Sequence, residues 1–591
     1  MDRPFIGQDV DELVRAFVRP GSHLHFAATM SRPNALLNAV CRVLRGHGDL
    51  TVSTTAVHSN AHALALSGAV RQVVTCFLGD TYPTPRPNRL YADLAAGKPF
   101  AVEPWSLSTY VQRLVAAATG QPYAVTTSLI GSDLVKDKAD DLQVIEDPAR
   151  PGQTLALLSP LRPDLTLVHG VCADRRGNVV MCPPIGEGPW AAYAAKDGVL
   201  ASVERLVPDE VIDAMPDRVV IPARCVVGLC EARLGAHPQS LRTGGLADVP
   251  GYLDDYDFME EIVEACRQGR AGEWFDTWIA GPEDQAAYLA ALGPERIASL
   301  LIAGPVPDVV PRGEDPLPAR AVEAQRRAGE TQRQITDQER LIVLGARAIV
   351  DLVTSGAYDT LLAGIGTSHL AAWLAAELLR RRGTPVCVAA ELGLVGMSPH
   401  PGDVFLFSQR HAARSTQLAG ILEVLGADVA GNPRCLGVLS AAELDEHGNI
   451  NTTLLPDGRW ITGSGGANDI ASSADCLVVA PASPRRYVRG VAYLTSPGRR
   501  VVEVASQFGR FRRNRVDGPF ELVTWSRPET AETLETAGCR PETAEPASPE
   551  ELLGQSTSWT PRVSPHLQRE PDITSEEIAV LRDLDPEGRY R

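Results

Sequence analysis

Thr384-Pro385-Val386-Cys387-Val388-Ala389-Ala390-Glu391-Leu392-Gly393 is a short apolar run bounded by proline before and glycine after. Such a run reads as a parallel-sheet strand covered on both faces. The C-terminal ends of these strands are where open α/β sheets place their ligands. Glu391 is therefore a candidate catalytic carboxylate, to be weighed against the commoner fate of a glutamate after a strand, a solvated loop or a helix start.

The surroundings repeat the design. Leu361-Leu362-Ala363-Gly364-Ile365-Gly366-Thr367-Ser368-His369-Leu370 is a second apolar strand ending in a glycine turn and opening a helix that runs on to Arg382. Ile461-Thr462-Gly463-Ser464-Gly465-Gly466-Ala467-Asn468-Asp469-Ile470 is a third. Its glycines let backbone N–H groups approach a ligand, and Asn468 or Asp469 is placed to cap the next helix.

A chain of 591 residues is too long for one core and implies about two to four domains. The expected fold class is α/β, two similar open and mostly parallel sheets related by duplication. In the first half, strand candidates at 50–54, 72–76, 165–168 and 218–221 alternate with helices at 32–44 and 109–120. A proline-rich stretch follows, and the pattern then begins again with a helix at 336–355 and a strand at 360–363. The expected division is 1–304, a linker at 305–332, and 333–591 with a Pro- and Glu-rich surface excursion near 528–560. Asp174-Arg175-Arg176-Gly177-Asn178-Val179 and Asp445-Glu446-His447-Gly448-Asn449-Ile450 stand at comparable places in the two halves, a tight turn used twice.

Composition excludes several classes. Hydrophobic residues make up 44% and no run of about 18 apolar residues offers a membrane span. Met1-Asp2-Arg3-Pro4-Phe5 lacks the basic and apolar regions of a signal peptide, so a cytoplasmic protein without a membrane partner is expected. The formal charge of -17 argues against nucleic acid as a partner. Eleven scattered cysteines, mostly inside apolar runs, read as reduced core residues and give neither a disulfide framework nor a metal site.

The ordered set of these motifs resembles the family I coenzyme A transferases, above all the glutaconate CoA-transferase branch, with its A and B subunits joined in one chain. The A-like half carries Pro99-Phe100-Ala101-Val102-Glu103, Leu129-Ile130-Gly131-Ser132-Asp133-Leu134 and Glu231-Ala232-Arg233-Leu234-Gly235-Ala236-His237-Pro238. The B-like half carries Gly364-Ile365-Gly366, the run from Glu391 to Gly396, Gly463 to Ile470, and Ser575-Glu576-Glu577 onward. The resemblance implies two open α/β domains facing each other across the active site. It implies Glu391 as the nucleophile, with Gly393 matching the family and Leu392 departing from it. It also implies backbone N–H donors near Ala27 and Ala28, where the family has glycines.

Such an enzyme would move CoA between an acyl-CoA and a carboxylic acid through a glutamyl-CoA thioester, with CoA as substrate and neither metal nor ATP required. The glycine loop, with Gly364, Gly366, Gly393, Gly463, Ser464, Gly465, Gly466 and Ala467 as candidates, would serve the oxyanion or hold the CoA pantetheine or pyrophosphate. Glu103 is a second candidate carboxylate, either bordering the cleft or serving as a helix N-terminal acid. His237 stands as a proton shuttle or a hydrogen-bonded turn residue, and Arg233, Arg485 and Arg486 as carboxylate or phosphate partners or plain surface residues. The departures at Leu392, Ala27 and Ala28 leave a thioester hydrolase, a CoA-ester lyase or decarboxylase, and a non-catalytic acyl-CoA binder as alternatives. A homodimer is compatible with a chain that already supplies both halves of a site.

Overall fold

The computed structural model describes residues 3–28, 30–136, 138, 140–246, 249–302, 335–526 and 548–590. The expected linker at 305–332 and the 528–547 part of the expected excursion lie outside the described residues.

The first half is built on eight parallel strands: β1 (Phe5–Ile6), β2 (His23–Phe26), β3 (Leu50–Ser53), β4 (Val70–Thr75), β5 (Ala101–Pro104), β6 (Leu165–Ala173), β7 (Gly198–Leu206) and β8 (Val226–Glu231). Their order in space is β1-β8-β7-β6-β2-β3-β4-β5. All nine residues of β6 are buried, as expected of a central strand covered on both faces. Helices α1 (Asn34–Val43) and α2 (Leu107–Ala118) follow β2 and β5.

In the second half, α3 (Asp337–Thr354) begins with a capping box. The Thr336 hydroxyl accepts from the Glu339 N–H while the Glu339 carboxylate accepts from the Thr336 N–H. The strands are β9 (Thr360–Ala363), β10 (Cys387–Ala390), β11 (Leu394–Val395), β12 (Gln417–Leu418), β13 (Cys435–Leu439), β14 (Asp475–Val479), β15 (Val501–Ala505), β16 (Gly509–Arg512), β17 (Glu521–Trp525) and β18 (Val563–Arg569). They lie in the order β12-β11-β10-β9-β13-β14-β15-β16-β17-β18, with β10, β9, β13, β14 and β15 mutually parallel. Helix α4 (Thr367–Arg381) follows β9, and α5 (Ala467–Ser473) precedes β14.

Each sheet reverses its winding once, between β2 and β6 in the first and between β9 and β13 in the second. Ligand crevices in open α/β sheets form at such switch points.

The two Asp-x-x-Gly-Asn turns match bond for bond. Asn178 N–H and Nδ2 donate to Asp174 at 2.8 and 2.9 Å, and Asn449 N–H and Nδ2 donate to Asp445 at 3.0 and 2.9 Å. Each asparagine Oδ1 then accepts a distant backbone N–H, from Ala223 at 3.0 Å and Gly498 at 2.8 Å. Gly177 and Gly448 both take positive φ, +100° and +84°.

Residues 548–560 differ from the surface excursion expected of them. Ser548 caps a helix, α6 (Pro549–Ser556), that buries Leu552 and Leu553, and Trp559 packs 4.7 Å from the Tyr487 ring. These apolar anchors outweigh the Pro and Glu composition around them. A three-stranded antiparallel sheet (Ala124–Thr126, Leu142–Glu146, Thr154–Leu158) is an addition that the alternating pattern does not announce. One buried cluster joins the halves, Leu107 and Tyr110 from the first packing with Leu439 and Ile470 from the second. No helix among the described residues is long and apolar enough to cross a membrane.

Candidate active site

A cavity of about 300 Å³ lies where the carboxyl ends of the two sheets meet. From the first half it receives Arg32 after β2, His58 after β3, Cys76 after β4 and Leu107 after β5. From the second it receives Gly364 after β9, Glu391 after β10 and Ser440 after β13. Every one of these stands just beyond the carboxyl end of a parallel strand, on the connecting loop or, for Leu107, at the start of α2, the placement that an open α/β sheet dictates.

Glu391 occupies the first position of a three-residue turn. β10 ends at Ala390, Gly393 N–H donates back to Ala390 O at 3.0 Å, and β11 returns antiparallel with Leu394 opposite Ala390. Gly393 has φ +114°, and a Cβ there would overlap the Ala419 carbonyl oxygen, so only glycine closes this turn. The turn aims the Glu391 carboxylate at the start of α5, where the Gly466 N–H donates to it.

Burial, and then the negative charge of Asp469, raise the Glu391 pKa from its ordinary 4.5 to about 7, against the lowering effect of Gly466. Asp469 is itself pushed up to about 6 by burial, although Ser106 Oγ (2.7 Å) and the Ser108 N–H (2.8 Å) both donate to it. The nucleophile candidate thus has a buried carboxylate neighbour that makes it more basic. Cys76, also on the cavity wall, has a thiol held well above its ordinary pKa by burial and by the nearby carboxylates, so it stays protonated.

The loop 463–467 joins the two halves. Gly465 N–H donates to Cys76 O and Leu107 N–H to Gly465 O, both at 2.9 Å, while Leu78 N–H donates to Thr462 O at 2.7 Å. A Cβ on Gly463, which has φ +101°, would stand 2.7 Å from Cys76 O, so glycine permits this approach. Asn468 continues the seam, its Oδ1 accepting from Leu129 N–H at 2.8 Å and its Nδ2 donating to Thr495 O at 2.8 Å.

Gly364, Glu391, Gly463, Ser464, Gly465, Gly466, Ala467 and Arg486 line the cavity; Glu103, Ala27, Ala28, Gly366, Gly393, His237, Arg233 and Arg485 do not. Glu103 is taken up by a structural cluster. Its carboxylate accepts from Trp105 Nε1 at 2.6 Å, Gln72 at 3.1 Å and Arg113 at 3.4 Å, because β5 turns it away from the crevice. Ala27 and Ala28 are not free donors either. Ala27 N–H donates to Leu167 O at 3.1 Å and Ala28 N–H to Glu187 Oε1 at 2.6 Å, a buried carboxylate that also meets His25 Nε2 at 3.2 Å. Gly366 gives its N–H to His369 Nδ1 at 3.1 Å at the start of α4, and Gly393 serves the turn. His237 is locked between Tyr288 Oη at 2.6 Å and Asp255 at 3.0 Å, a structural residue.

The glycine loop also departs from an anion cradle. Gly463, Gly465 and Ala467 spend their N–H groups on Thr452 O, Cys76 O and Ser464 O. Gly466 N–H goes to Glu391, and the Ser464 N–H has no acceptor among the described residues. Arg32, Cys76, His58 and the charge of Asp469 are the site residues that sequence reasoning missed. Only Asp469 left a trace, as a helix-start acid.

The candidate site is thus a crevice between two α/β sheets with a carboxylate, Glu391, on its wall. A family model described as Coenzyme A transferase matches residues 8–232, and the chain is similar to that family there. It is 29% identical over 209 residues to the A subunit of the 3-oxoadipate CoA-transferase of Pseudomonas knackmussii, covering 35% of this chain and 70% of that relative. It is 26% identical over 313 residues to the A subunit of the glutaconate CoA-transferase of Acidaminococcus fermentans, covering 49% of this chain and 93% of that relative. An acyl-CoA transferase apoenzyme from Escherichia coli O157:H7 shares the fold with a TM-score of 0.60 at 16% identity, over 96% of this chain and 95% of that chain.

Proposed function

We propose that the protein transfers CoA from an acyl-CoA to a carboxylic acid by covalent catalysis on Glu391. The observation that carries this reading is the cavity-facing carboxylate of Glu391, hydrogen-bonded by Gly466 and made more basic by burial and by Asp469. A carboxylate in bulk water is a poor nucleophile, and these surroundings replace its hydration with a single directed donor.

Glu391 attacks the thioester carbonyl, and the tetrahedral oxyanion collapses by expelling CoA thiolate, leaving a mixed anhydride. The thiolate attacks the Glu391 carbonyl carbon and expels the acyl group as its free acid, leaving a glutamyl-CoA thioester. An incoming carboxylate attacks that thioester, forms a new anhydride and frees the thiolate again. The thiolate then attacks the new acyl carbonyl and restores Glu391. The uncommitted Ser464 N–H is the donor that fits an oxyanion here, a kind of contact worth about 3 kcal/mol in the transition state.

Leu392 and Leu107 on the cavity wall keep the anhydride from water, which favours transfer over hydrolysis. The test is exchange of CoA from an acyl-CoA to an isotope-labelled acid. The expected result is acceptor-dependent label in the acyl-CoA pool that Glu391→Gln abolishes. CoA release that needs no acceptor would replace this reading with hydrolysis.

A further inference from the structure

Three apolar residues stand close around the Glu391 carboxylate. Leu392 is the next residue in the chain and lines the same cavity. Leu107, at the start of α2, is tied to the glycine loop by its N–H, which donates to Gly465 O at 2.9 Å. Ile470 in α5 lies beside Gly466, its Cδ1 3.7 Å from where a Cβ on that glycine would stand, a point that Glu391 Oε2 overlaps. All three line the cavity; Leu107 and Ile470 are buried in the cluster that joins the two halves, and Leu392 packs against it. Together they make an apolar collar at the nucleophile.

The guanidiniums of the cavity are anchored away from this collar. Arg32, buried and with no carboxylate within ion-pair distance among the described residues, is held by Ala56 O at 2.7 Å. Arg86 donates to Thr84 Oγ1 at 2.7 Å and Arg486 to Ala441 O. Among the described residues none of the three bonds to Glu391, to its turn or to the loop 463–467. Cys76, bonded through its carbonyl to Gly465 N–H, keeps its proton and packs as a small apolar group. The Ser464 hydroxyl accepts from Asn468 N–H at 3.3 Å.

When Glu391 bonds to an acyl carbon, the α and β carbons of the acyl group come next in line, so the residues that surround the carboxylate surround them. The other branch at that carbon is the S–CH2–CH2 end of the pantetheine arm, which is apolar as well. A hydroxyl on the α carbon would give up its water against side chains that offer no hydrogen bond in return. We propose that Leu392, with Leu107 and Ile470, is a specificity-determining residue, so that the substrates are CoA thioesters of acids whose α and β carbons are plain hydrocarbon. The inference rests on the CoA-transfer reading above and names the class of acyl group that it serves.

The test compares the CoA thioesters of straight-chain C4 to C8 monocarboxylic acids with their 2-hydroxy counterparts, with one labelled acceptor acid, on the full chain and on Leu392→Ser and Leu392→Met. The parent is expected to favour the plain thioester about 100-fold in kcat/KM at one chain length or more, the discrimination a hydrophobic pocket makes against an added hydroxyl. Leu392→Ser opens the collar and supplies a hydroxyl, and should cut that ratio about tenfold. Leu392→Met keeps volume and apolarity and should hold the ratio within about threefold of the parent. Because the ratio is internal to each variant, a loss of folded protein does not move it. Equal use of the two series, a preference for the 2-hydroxy thioesters, turnover of neither, or a ratio unchanged in Leu392→Ser would each overturn the assignment. Covalent labelling of Glu391 in the parent separates the two claims. Equal labelling by both series keeps the transfer mechanism and removes the collar's selectivity, whereas no labelling by either refutes that mechanism first.

Discussion

Replacing Glu391 by Gln should make the protein more stable at alkaline pH while removing its activity. Folding takes this carboxyl from an ordinary pKa of 4.5 to about 7, so the folded chain holds a proton that the unfolded chain releases in that window. Stability therefore falls as pH rises from 4.5 to 7, and above pH 7 the full cost of ionising a buried carboxylate, about 3 kcal/mol, is present. Glutamine has the same shape, accepts the Gly466 N–H through its carbonyl oxygen, and carries no charge to repel Asp469. The measurement is urea unfolding of parent and Glu391→Gln at pH 4 and pH 8. The two should coincide at the lower pH, and the variant should be more stable by about 2–3 kcal/mol at the higher. A variant equal to or weaker than the parent at pH 8 would mean that Glu391 is solvated, and the reasoning about its basicity would fail.

Asp469→Asn removes the neighbouring negative charge and should move the acidic limb of the pH–rate profile to lower pH, since that limb reports ionisation of Glu391. A general structural loss would lower the rate without moving the limb. Gly466→Ala keeps an ordinary backbone conformation, φ -85°, yet its methyl group would overlap Glu391 Oε2. It should lower kcat about 100-fold by displacing the nucleophile while leaving the thermal midpoint almost unchanged, which enzyme assay and calorimetry together check. Glu103→Gln weakens the cluster with Trp105 and Arg113 and should cost about 1–2 kcal/mol in urea unfolding without affecting transfer, because the carboxylate faces away from the cavity.

Local signals carried most of the fold. The helix expected at 336–355, the apolar runs that became β9 and β10, and the paired Asp-x-x-Gly-Asn turns are all written in local sequence and formed where the pattern placed them. Glu391 was legible for the same reason, since a strand end and a glycine turn fix its place. Functions that depend on what lies opposite were not legible. The Ala28 N–H meets Glu187, 159 positions away, and Asp469 meets Ser106, 363 positions away. No local pattern shows that a carboxylate already occupies the expected oxyanion donor, or that a helix-start acid perturbs Glu391. Arg32 escaped notice because a lone arginine ahead of a helix is ordinary in sequence; burial without a carboxylate partner makes it unusual.

The most direct measurement is the mass of the peptide containing Glu391 after incubation with an acyl-CoA and no acceptor acid. A CoA thioester on Glu391, convertible to the alcohol by borohydride and lost when a carboxylic acid is added, is the result predicted here. An unmodified Glu391 under turnover conditions, or an acyl or CoA adduct on another residue such as Cys76, would contradict the account.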